Sequence, residues 1–282
     1  MDNEKAFLDI QSLIASKEYG KVRPIVDTIA SGTDDLSTLL KCASLLKVVD
    51  EEDGCQEILD RVAEMRFATA EEKLSAASAL RGLGRADDAF AIIRNEKENE
   101  NVIREKAKIL LKMGKGEEAL AVIRKLTPMT SDDRITLTEI LCSLGEFKEA
   151  HEVASKLVTD DNASYDSLVN LCTTLILMGK NKDAVKTAKK YLKEDKKDAD
   201  SLALAAYVMR INGKMPAAAN FAHRAMAVDH MHKGALETMA YCLIEKGRLP
   251  EAKVCAGAIN EKRPGDPAVI RILDACRFAA KN

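Results

Sequence analysis

Residues 110–126 read LLKMGKGEEALAVIRKL, in which a Gly-Lys-Gly separates two stretches of helical periodicity. A glycine-rich turn before a helix is also how a phosphate-binding loop begins. A Walker-type loop, however, needs another glycine five residues before its Gly-Lys and a Ser or Thr directly after it. This chain has Ile109 and Gly116 at those two positions. The stretch does not predict a nucleotide site, so its glycine needs another explanation.

The same arrangement recurs along most of the chain. Six glycines are separated by 30, 31, 34, 34 and 34 residues: Gly84, Gly114, Gly145, Gly179, Gly213 and Gly247. Five residues after them come Ala89, Ala119, Ala150, Ala184, Ala218 and Ala252, and seven before them come Ala77, Ala107, Thr138, Cys172, Ala206 and Ala240. Four before them come Leu80, Leu110, Leu141, Leu175, Met209 and Leu243. Self-similarity at a fixed period is the signature of a repeat protein.

The pattern continues upstream without its glycine. Around Asp50 the same offsets carry Ala43, Leu46 and Cys55, and around Lys17 a poorer match carries Ile10, Leu13 and Val22. Pro24 lies just inside the second helix of that first repeat, where proline costs about 3 kcal/mol unless the helix starts late. The first repeat is therefore expected to be irregular.

Helix hairpins explain these positions. Between the hinges, apolar residues recur every three or four residues, which indicates helix. A left-handed residue at each hinge would satisfy the last carbonyls of one helix. Pro216 and Pro250, each three residues past a hinge, fit the first turn of the next helix. The small residues before and after each hinge would let the two helices of a hairpin approach closely.

These hairpins resemble the tetratricopeptide repeat, a family with a 34-residue period. The resemblance rests on the small first-helix residue, the hinge glycine and the second-helix alanine, as in MGKNKDA (178–184), NGKMPAA (212–218) and KGRLPEA (246–252). It covers nearly the whole chain and is most specific in residues 130–266. The chain departs from the family in having Leu168, Leu202 and Leu236 where the family has tryptophan, and its closing proline survives only at Pro264.

The resemblance implies an all-α fold, a right-handed α-solenoid of antiparallel hairpins with about 17 helices. Residues 1–266 would form eight repeats, the first irregular and the third and fourth shortened, and residues 267–280 would form a capping helix. No Gly/Ser-rich linker interrupts the chain, so we expect a single repeat array over residues 1–282.

Composition limits the classes of function. The 282 residues carry a formal net charge of −2 with a pI near 6.2, so no global field favours nucleic acid or an anionic membrane. The first residues lack the regions of a secretory signal, and no apolar run approaches the ~18 residues of a membrane span. The seven cysteines form an odd set without a C-x-x-C motif and lie mostly on apolar helical stripes. Reduced thiols and a cytoplasmic location are expected.

No catalytic, cofactor or metal site is predicted, and the chain is interpreted as non-enzymatic. His230 and His232 have no third ligand at the usual spacing and are interpreted as solvated loop residues. A lysine-rich run is interpreted as a solvated outer face, because Glu194 and Asp195 interrupt it. Its lysines are Lys186, Lys189, Lys190, Lys193, Lys196 and Lys197.

By resemblance, the first helices line a concave groove, and the residues thirteen, ten, six and three before each hinge face it. Cations at these offsets are Lys47, Arg81, Arg104 and Lys108, and acids are Asp132, Glu139, Asp166 and Asp200. Tyr207 and Tyr241 share one offset a repeat apart, with Arg210 a turn beyond Tyr207. The capping helix adds Arg271 and Phe278. Cys142 also falls on the groove, as the exception among the cysteines.

Two binding regions are expected from these residues. An acidic segment should prefer the cations Arg81, Arg104 and Lys108. The main peptide site should lie at Tyr207, Arg210, Tyr241, Arg271 and Phe278, which combine apolar area with cations. The alternative is that both tyrosines pack between neighbouring first helices. The carboxylate clamp of some family members cannot be placed, although Asn170 has a suitable offset.

The leading functional hypothesis is a non-catalytic scaffold that binds a peptide or a partner helix in its groove. One alternative is an RNA-binding helical-repeat protein, which the net charge, the acidic middle of the groove and the few aromatic residues disfavour. The other is an assembly subunit that self-associates into a homo-oligomer. No cofactor and no membrane partner are expected, and the protein partner is not identified by the sequence.

Overall fold

The structure, a computed structural model, describes residues 3–16, 18–160, 163–194, 198–263 and 266–281. These residues form seventeen α-helices and one short 3₁₀ turn, with no strand among them, so the all-α prediction is confirmed. The chain divides into a first unit, Met1–Ala89 with Met239–Asn282, and a second unit, Phe90–Thr238.

The helices follow the repeat pattern. Those wholly in the first unit are α1 (Asn3–Ala15), α2 (Val22–Ser31), α3 (Leu36–Val48), α4 (Glu52–Glu64), α5 (Ala70–Gly82), α16 (Leu249–Lys262) and α17 (Pro267–Lys281). Those wholly in the second unit are α7 (Glu100–Lys112), α8 (Gly116–Ile123), α9 (Ser131–Ser143), α10 (Phe147–Asp160), α11 (Tyr165–Leu177), α12 (Asn181–Glu194), α13 (Ala199–Ile211) and α14 (Met215–Val228). The unit boundaries fall within α6 (Ala86–Ile93) and α15 (Lys233–Glu245).

Each hinge has the predicted left-handed backbone. The six hinge glycines have φ between 70° and 91°, and Asp50 has φ 62°. The residue directly after the hinge donates its N–H to the carbonyl of the residue four positions before the hinge. Examples are Lys180 to Leu175 at 2.8 Å and Glu51 to Leu46 at 2.9 Å. This Schellman hydrogen bond satisfies a carbonyl that the helix end would otherwise leave unpaired.

The small residues on either side of each hinge are buried. The first-helix position is at most 1% exposed throughout, and the alanine five residues after each hinge glycine is 0% exposed. In the hairpin of Gly179, Cys172 and Ala184 are in contact, with Cys172 Sγ 3.8 Å from the Ala184 carbonyl oxygen. A larger side chain at either position would push the two helices apart.

The start of each first helix is also fixed, fifteen residues before its hinge. Side chains there accept a hydrogen bond from the backbone N–H three residues on, in Asp35, Thr69, Asn99, Thr130, Ser164, Asp198 and His232. Thr69 and Thr130 complete capping boxes with Glu72 and Asp133. These caps satisfy orphan N–H groups and set the length of the first helices.

In the second unit the hairpins pack in series. The first helices α7, α9, α11 and α13 pack each against the next, and each also contacts its own second helix. The second helices α6 and α8 have eight residues each, whereas α10, α12 and α14 have fourteen. The shorter second helices account for the shorter distances between hinges, 30 residues from Gly84 to Gly114 and 31 from Gly114 to Gly145.

In the first unit, helices from the two ends of the chain pack together. Helix α16 contacts α1, α3 and α17. Lys253 and Arg277 both donate to the Asp50 carboxylate, and Arg277 also donates to Glu52 at 2.7 Å. Asp50 occupies the hinge position of its repeat, where every later repeat has glycine. Its side chain makes contacts that glycine cannot, and aspartate tolerates the left-handed region better than most residues.

The first repeat is irregular, as its sequence predicts. A 3₁₀ turn, Tyr19–Lys21, precedes α2, so Pro24 falls in the first turn of a late-starting helix and avoids the interior penalty. The proposed hinge Lys17 and the closing proline Pro264 lie outside the described residues. Pro216 and Pro250 lie in the first turns of α14 and α16, as predicted.

Candidate functional site

A row of polar side chains lies on adjacent first helices of the second unit. Thr173 on α11 and Tyr207 on α13 are joined through their hydroxyl groups at 2.7 Å. Because the Thr173 hydroxyl donates to the Val169 carbonyl at 2.7 Å, the Tyr207 hydroxyl must be the donor to Thr173. Tyr207 therefore packs between neighbouring first helices, as the alternative interpretation expected, and remains half-buried.

Arg210 lies one turn from Tyr207 on the same helix. The carbon of its guanidinium is 5.5 Å from the centre of the Tyr207 ring, which is within cation–π range. Burial raises the pKa of Tyr207, so its hydroxyl stays a neutral hydrogen-bond donor at physiological pH. Tyr207 and Arg210 thus present a fixed aromatic ring beside a cation.

Asn170 lies on α11, three residues before Thr173. Its side chain is 8% exposed, and within the described part of the chain its Oδ1 accepts no hydrogen bond. A buried amide oxygen without a donor costs about 1–3 kcal/mol, so a rearrangement that gave it a donor would be favourable. Asn170, Thr173, Tyr207 and Arg210 are called the first-helix row below.

The row extends to α9 through Cys142. Its Sγ lies 3.8 Å from the Thr174 hydroxyl oxygen, and Thr174 donates to the Asn170 carbonyl at 2.9 Å. Cys142 is half-buried, as its groove offset predicts, whereas the other six cysteines are buried free thiols.

The predicted cation site does not present three open charges. Arg104 on α7 makes a bidentate pair with the buried Asp133, at 2.8 and 3.1 Å, and also contacts Glu100 at 2.9 Å. Lys108 lines the same depression, of about 410 Å³, with Thr130, Ser131 and Asp132. No ion pair joins Lys108 to a carboxylate in the described ranges. Arg104 is therefore engaged in stabilising the α9 cap, whereas the charge of Lys108 is not taken up by an ion pair among the described residues.

The remaining predicted site residues lie in the first unit. Arg81 contacts the Ser78 hydroxyl at 3.2 Å and lines a depression of about 1100 Å³ between α3 and α5. Tyr241 is half-buried on α15, and on α17 Arg271 is exposed and Phe278 is 73% exposed. Their joint action with Tyr207 and Arg210 stays a prediction.

Two sequence-based interpretations are wrong. Lys47 does not face a groove; it is 6% exposed, and its ammonium pairs with Glu52 at 2.8 Å. His232 is not solvated but 9% exposed, because it caps α15 through Nδ1 and pairs with Asp200 through Nε2 at 2.8 Å. Its place fifteen residues before Gly247, the cap offset, is the signal that could have found this role.

The buried cysteines should react slowly in the native protein. Burial raises the pKa of Cys42, Cys55 and Cys255 to about 11, and that of Cys172 to about 12. Their thiols stay protonated in the fold while unfolded thiols ionise near pH ~8.5, so stability should fall as pH rises from there towards 11. Thiol titration at pH 8 should label Cys142 first and the others only in denaturant. Several fast-reacting thiols in the native protein would contradict this.

The described residues contain no group of three or more His, Cys, Asp or Glu placed to hold a metal ion. Among the same residues, no helix is long and apolar enough to cross a membrane.

Hinge, cap and hairpin geometry together define a helical-repeat protein. A tetratricopeptide repeat protein from Parabacteroides merdae has a similar structure, with a TM-score of 0.51 and 12% identity over 85% of this chain and 98% of that chain. A thermophilic tetratricopeptide repeat protein from Thermus thermophilus gives a TM-score of 0.42, with 17% identity over 74% of this chain and 100% of that chain. No protein-family model and no curated protein matches the sequence. The chain has a tetratricopeptide-repeat fold.

Proposed function

We propose that the chain is a non-catalytic protein-interaction module that binds an extended peptide across the first-helix row. The buried, unpaired Oδ1 of Asn170 is the observation that carries this proposal. An extended peptide offers a backbone N–H every residue. Because the Asn170 oxygen is itself buried, its amide would have to turn towards the peptide to accept one of these N–H groups, and it would do so independently of the peptide's side chains.

Tyr207 and Arg210 would add side-chain recognition. Aromatic residues and arginine are the types most enriched among residues that dominate binding energy. The Thr173 hydroxyl bond holds the Tyr207 ring in place, so little side-chain entropy is lost when a peptide packs on it. In the first unit, Tyr241, Arg271 and Phe278 are proposed as further binding residues. Arg81 and Lys108 are proposed to attract acidic segments, with a smaller contribution from Arg104 because it already pairs with Asp133.

The free thiols support a reducing compartment, and we propose the cytoplasm as the location. RNA binding stays the alternative function. RNA binding predicts an affinity for single-stranded RNA that falls steeply as the salt concentration rises. A site that recognises the backbone of a peptide predicts a peptide affinity that changes little with salt.

The test is a random-peptide display library selected on the whole chain, followed by affinity measurements on one selected peptide. Asn170→Ala and Tyr207→Ala should each weaken binding by about tenfold, equivalent to about 1.4 kcal/mol. Asn220→Ala, an exposed asparagine on α14, should leave affinity unchanged. Circular dichroism would verify that all variants stay helical. Unchanged affinity in both first-helix variants would reject this site.

A further inference from the structure

The outer faces of two second helices carry complementary charge at the same repeat positions. On α12 the residues three, seven and ten after the hinge are Lys182, Lys186 and Lys189. On α4 the residues at those offsets are Asp53, Glu57 and Asp60. At the next position of the series, fourteen after the hinge, the sequence has Lys193 and Glu64. We call Lys182, Lys186 and Lys189 the basic stripe, and Asp53, Glu57, Asp60 and Glu64 the acidic stripe.

No other second helix that follows a positive-φ hinge has a uniform charge there. The residues three, seven and ten after the hinge are Asp87 and Ala91 on α6 with Arg94 directly after it; Glu117 and Ala121 on α8 with Arg124 directly after it; and Lys148, Glu152 and Ser155 on α10. They are Pro216, Asn220 and His223 on α14, and Pro250, Val254 and Gly257 on α16. The other second helices thus carry mixed or neutral residues at these positions, and the two uniform stripes are distinctive within this chain.

Both stripes point away from their own hairpins. The residues five and nine after the hinge are buried, Cys55 and Leu59 on α4 and Ala184 and Ala188 on α12. Residues three, seven and ten after the hinge lie on the opposite side of a helix with 3.6 residues per turn. Lys182, Lys186 and Lys189 are exposed, as are Asp53, Glu57, Asp60 and Glu64.

In the described part of the chain, no ion pair joins Lys182, Lys186 or Lys189 of the basic stripe to a carboxylate, although Asp183 lies on the same helix. The acidic stripe is neutralised only in part. Glu57 lies 3.8 Å from Arg23, and Asp60 lies 2.9 Å from Arg85, while Asp53 and Glu64 have no ion pair in those ranges. Both stripes therefore keep charge available to a partner.

We propose that the basic stripe on α12 of one copy docks against the acidic stripe on α4 of a second copy. Lys182, Lys186 and Lys189 have the same spacing of four and three residues as Asp53, Glu57 and Asp60, so the opposite charges can come into register. Because the two surfaces differ, the contact is heterologous, and each copy keeps one stripe open for the next. This association is independent of peptide binding at the first-helix row.

Exposed ion pairs are screened by salt, so the association should be weak and strongly dependent on ionic strength. Sedimentation velocity of the whole chain should show concentration-dependent association at about 20 mM salt and its loss at about 300 mM. A wild-type chain that stays monomeric at low salt at every concentration overturns the proposal.

Charge reversal makes the test specific. One variant carries Lys182→Glu, Lys186→Glu and Lys189→Glu, and another carries Asp53→Lys, Glu57→Lys and Glu64→Lys, which leaves the Asp60–Arg85 pair intact. Each variant alone should self-associate at least about tenfold more weakly than the wild type. An equimolar mixture of the two, and a chain that combines all six changes, should recover association. Loss without recovery in either case overturns the pairing of these two stripes.

Two further probes distinguish other ligands of the basic stripe. They are vesicles containing about 30% phosphatidylserine and a single-stranded oligonucleotide. If the wild type binds either one at low salt without self-associating, and the Lys→Glu variant does not bind, the stripe serves that ligand and the self-association proposal fails.

Discussion

Gly234→Ala is expected to lower the free energy of unfolding by roughly 2–4 kcal/mol, the upper part of the range for overpacking. A Cβ at Gly234 would lie 1.8 Å from the Tyr165 hydroxyl oxygen and 2.4 Å from its ring carbon Cζ. Tyr165 cannot easily move, because its ring packs edge-on against His232 at 5.0 Å and packs against a core cluster of the second unit. Either α15 or the tyrosine must shift.

Gly257→Ala is the matched control, since it adds the same atom inside another helix. Its Cβ would lie 3.6 Å from Ile14 and 3.8 Å from Val48, which are ordinary packing distances. Alanine is favoured over glycine in a helix interior by about 0.5–1 kcal/mol, so this variant should be slightly stabilised. Denaturant unfolding of both variants should show opposite signs. Equal effects would mean that Tyr165 does not pack against Gly234.

Ala184→Leu and Ala218→Leu are each expected to destabilise the chain by about 1–3 kcal/mol. Both alanines are 0% exposed and lie where the two helices of a hairpin are closest. Leucine adds three carbon atoms at either position. They fit only if α11 and α12 move apart in the Ala184 variant, or α13 and α14 in the Ala218 variant.

Ala227→Leu on α14 is the control, because Ala227 is exposed near the end of the same helix as Ala218. It should change stability by less than about 0.5 kcal/mol. Thermal unfolding followed by circular dichroism measures all three variants. Unchanged midpoints in both buried variants would show that the repeat register is wrong.

The candidate site was only partly predictable from sequence. The hinge offsets place Tyr207 and Arg210 on one helix face, and the structure joins Tyr207 to Thr173, which lies three residues after Asn170 on α11. Sequence could not show that Arg104 is paired with Asp133, since these residues are 29 positions apart and meet only when α7 packs against α9. For the same reason it misjudged Lys47 and His232, whose partners are set by packing.

The sequence by itself determined the helices, their ends and the tight packing within each hairpin. These features depend on local rules: a left-handed glycine with its Schellman hydrogen bond, a capping side chain fifteen residues earlier, and small residues where two helices cross. Each rule acts within one 34-residue period, so a repeated pattern reports it directly.

Only the tertiary structure decided which charges are neutralised and which polar groups are left unpaired. Asp50 illustrates the difference. Sequence marks it as a hinge without glycine, but its partners Lys253 and Arg277 come from the far end of the chain. An exposed charged side chain can pair with any of several partners at similar free energy. Which pair forms therefore depends on how the helices pack, and the repeat pattern of the sequence does not show it.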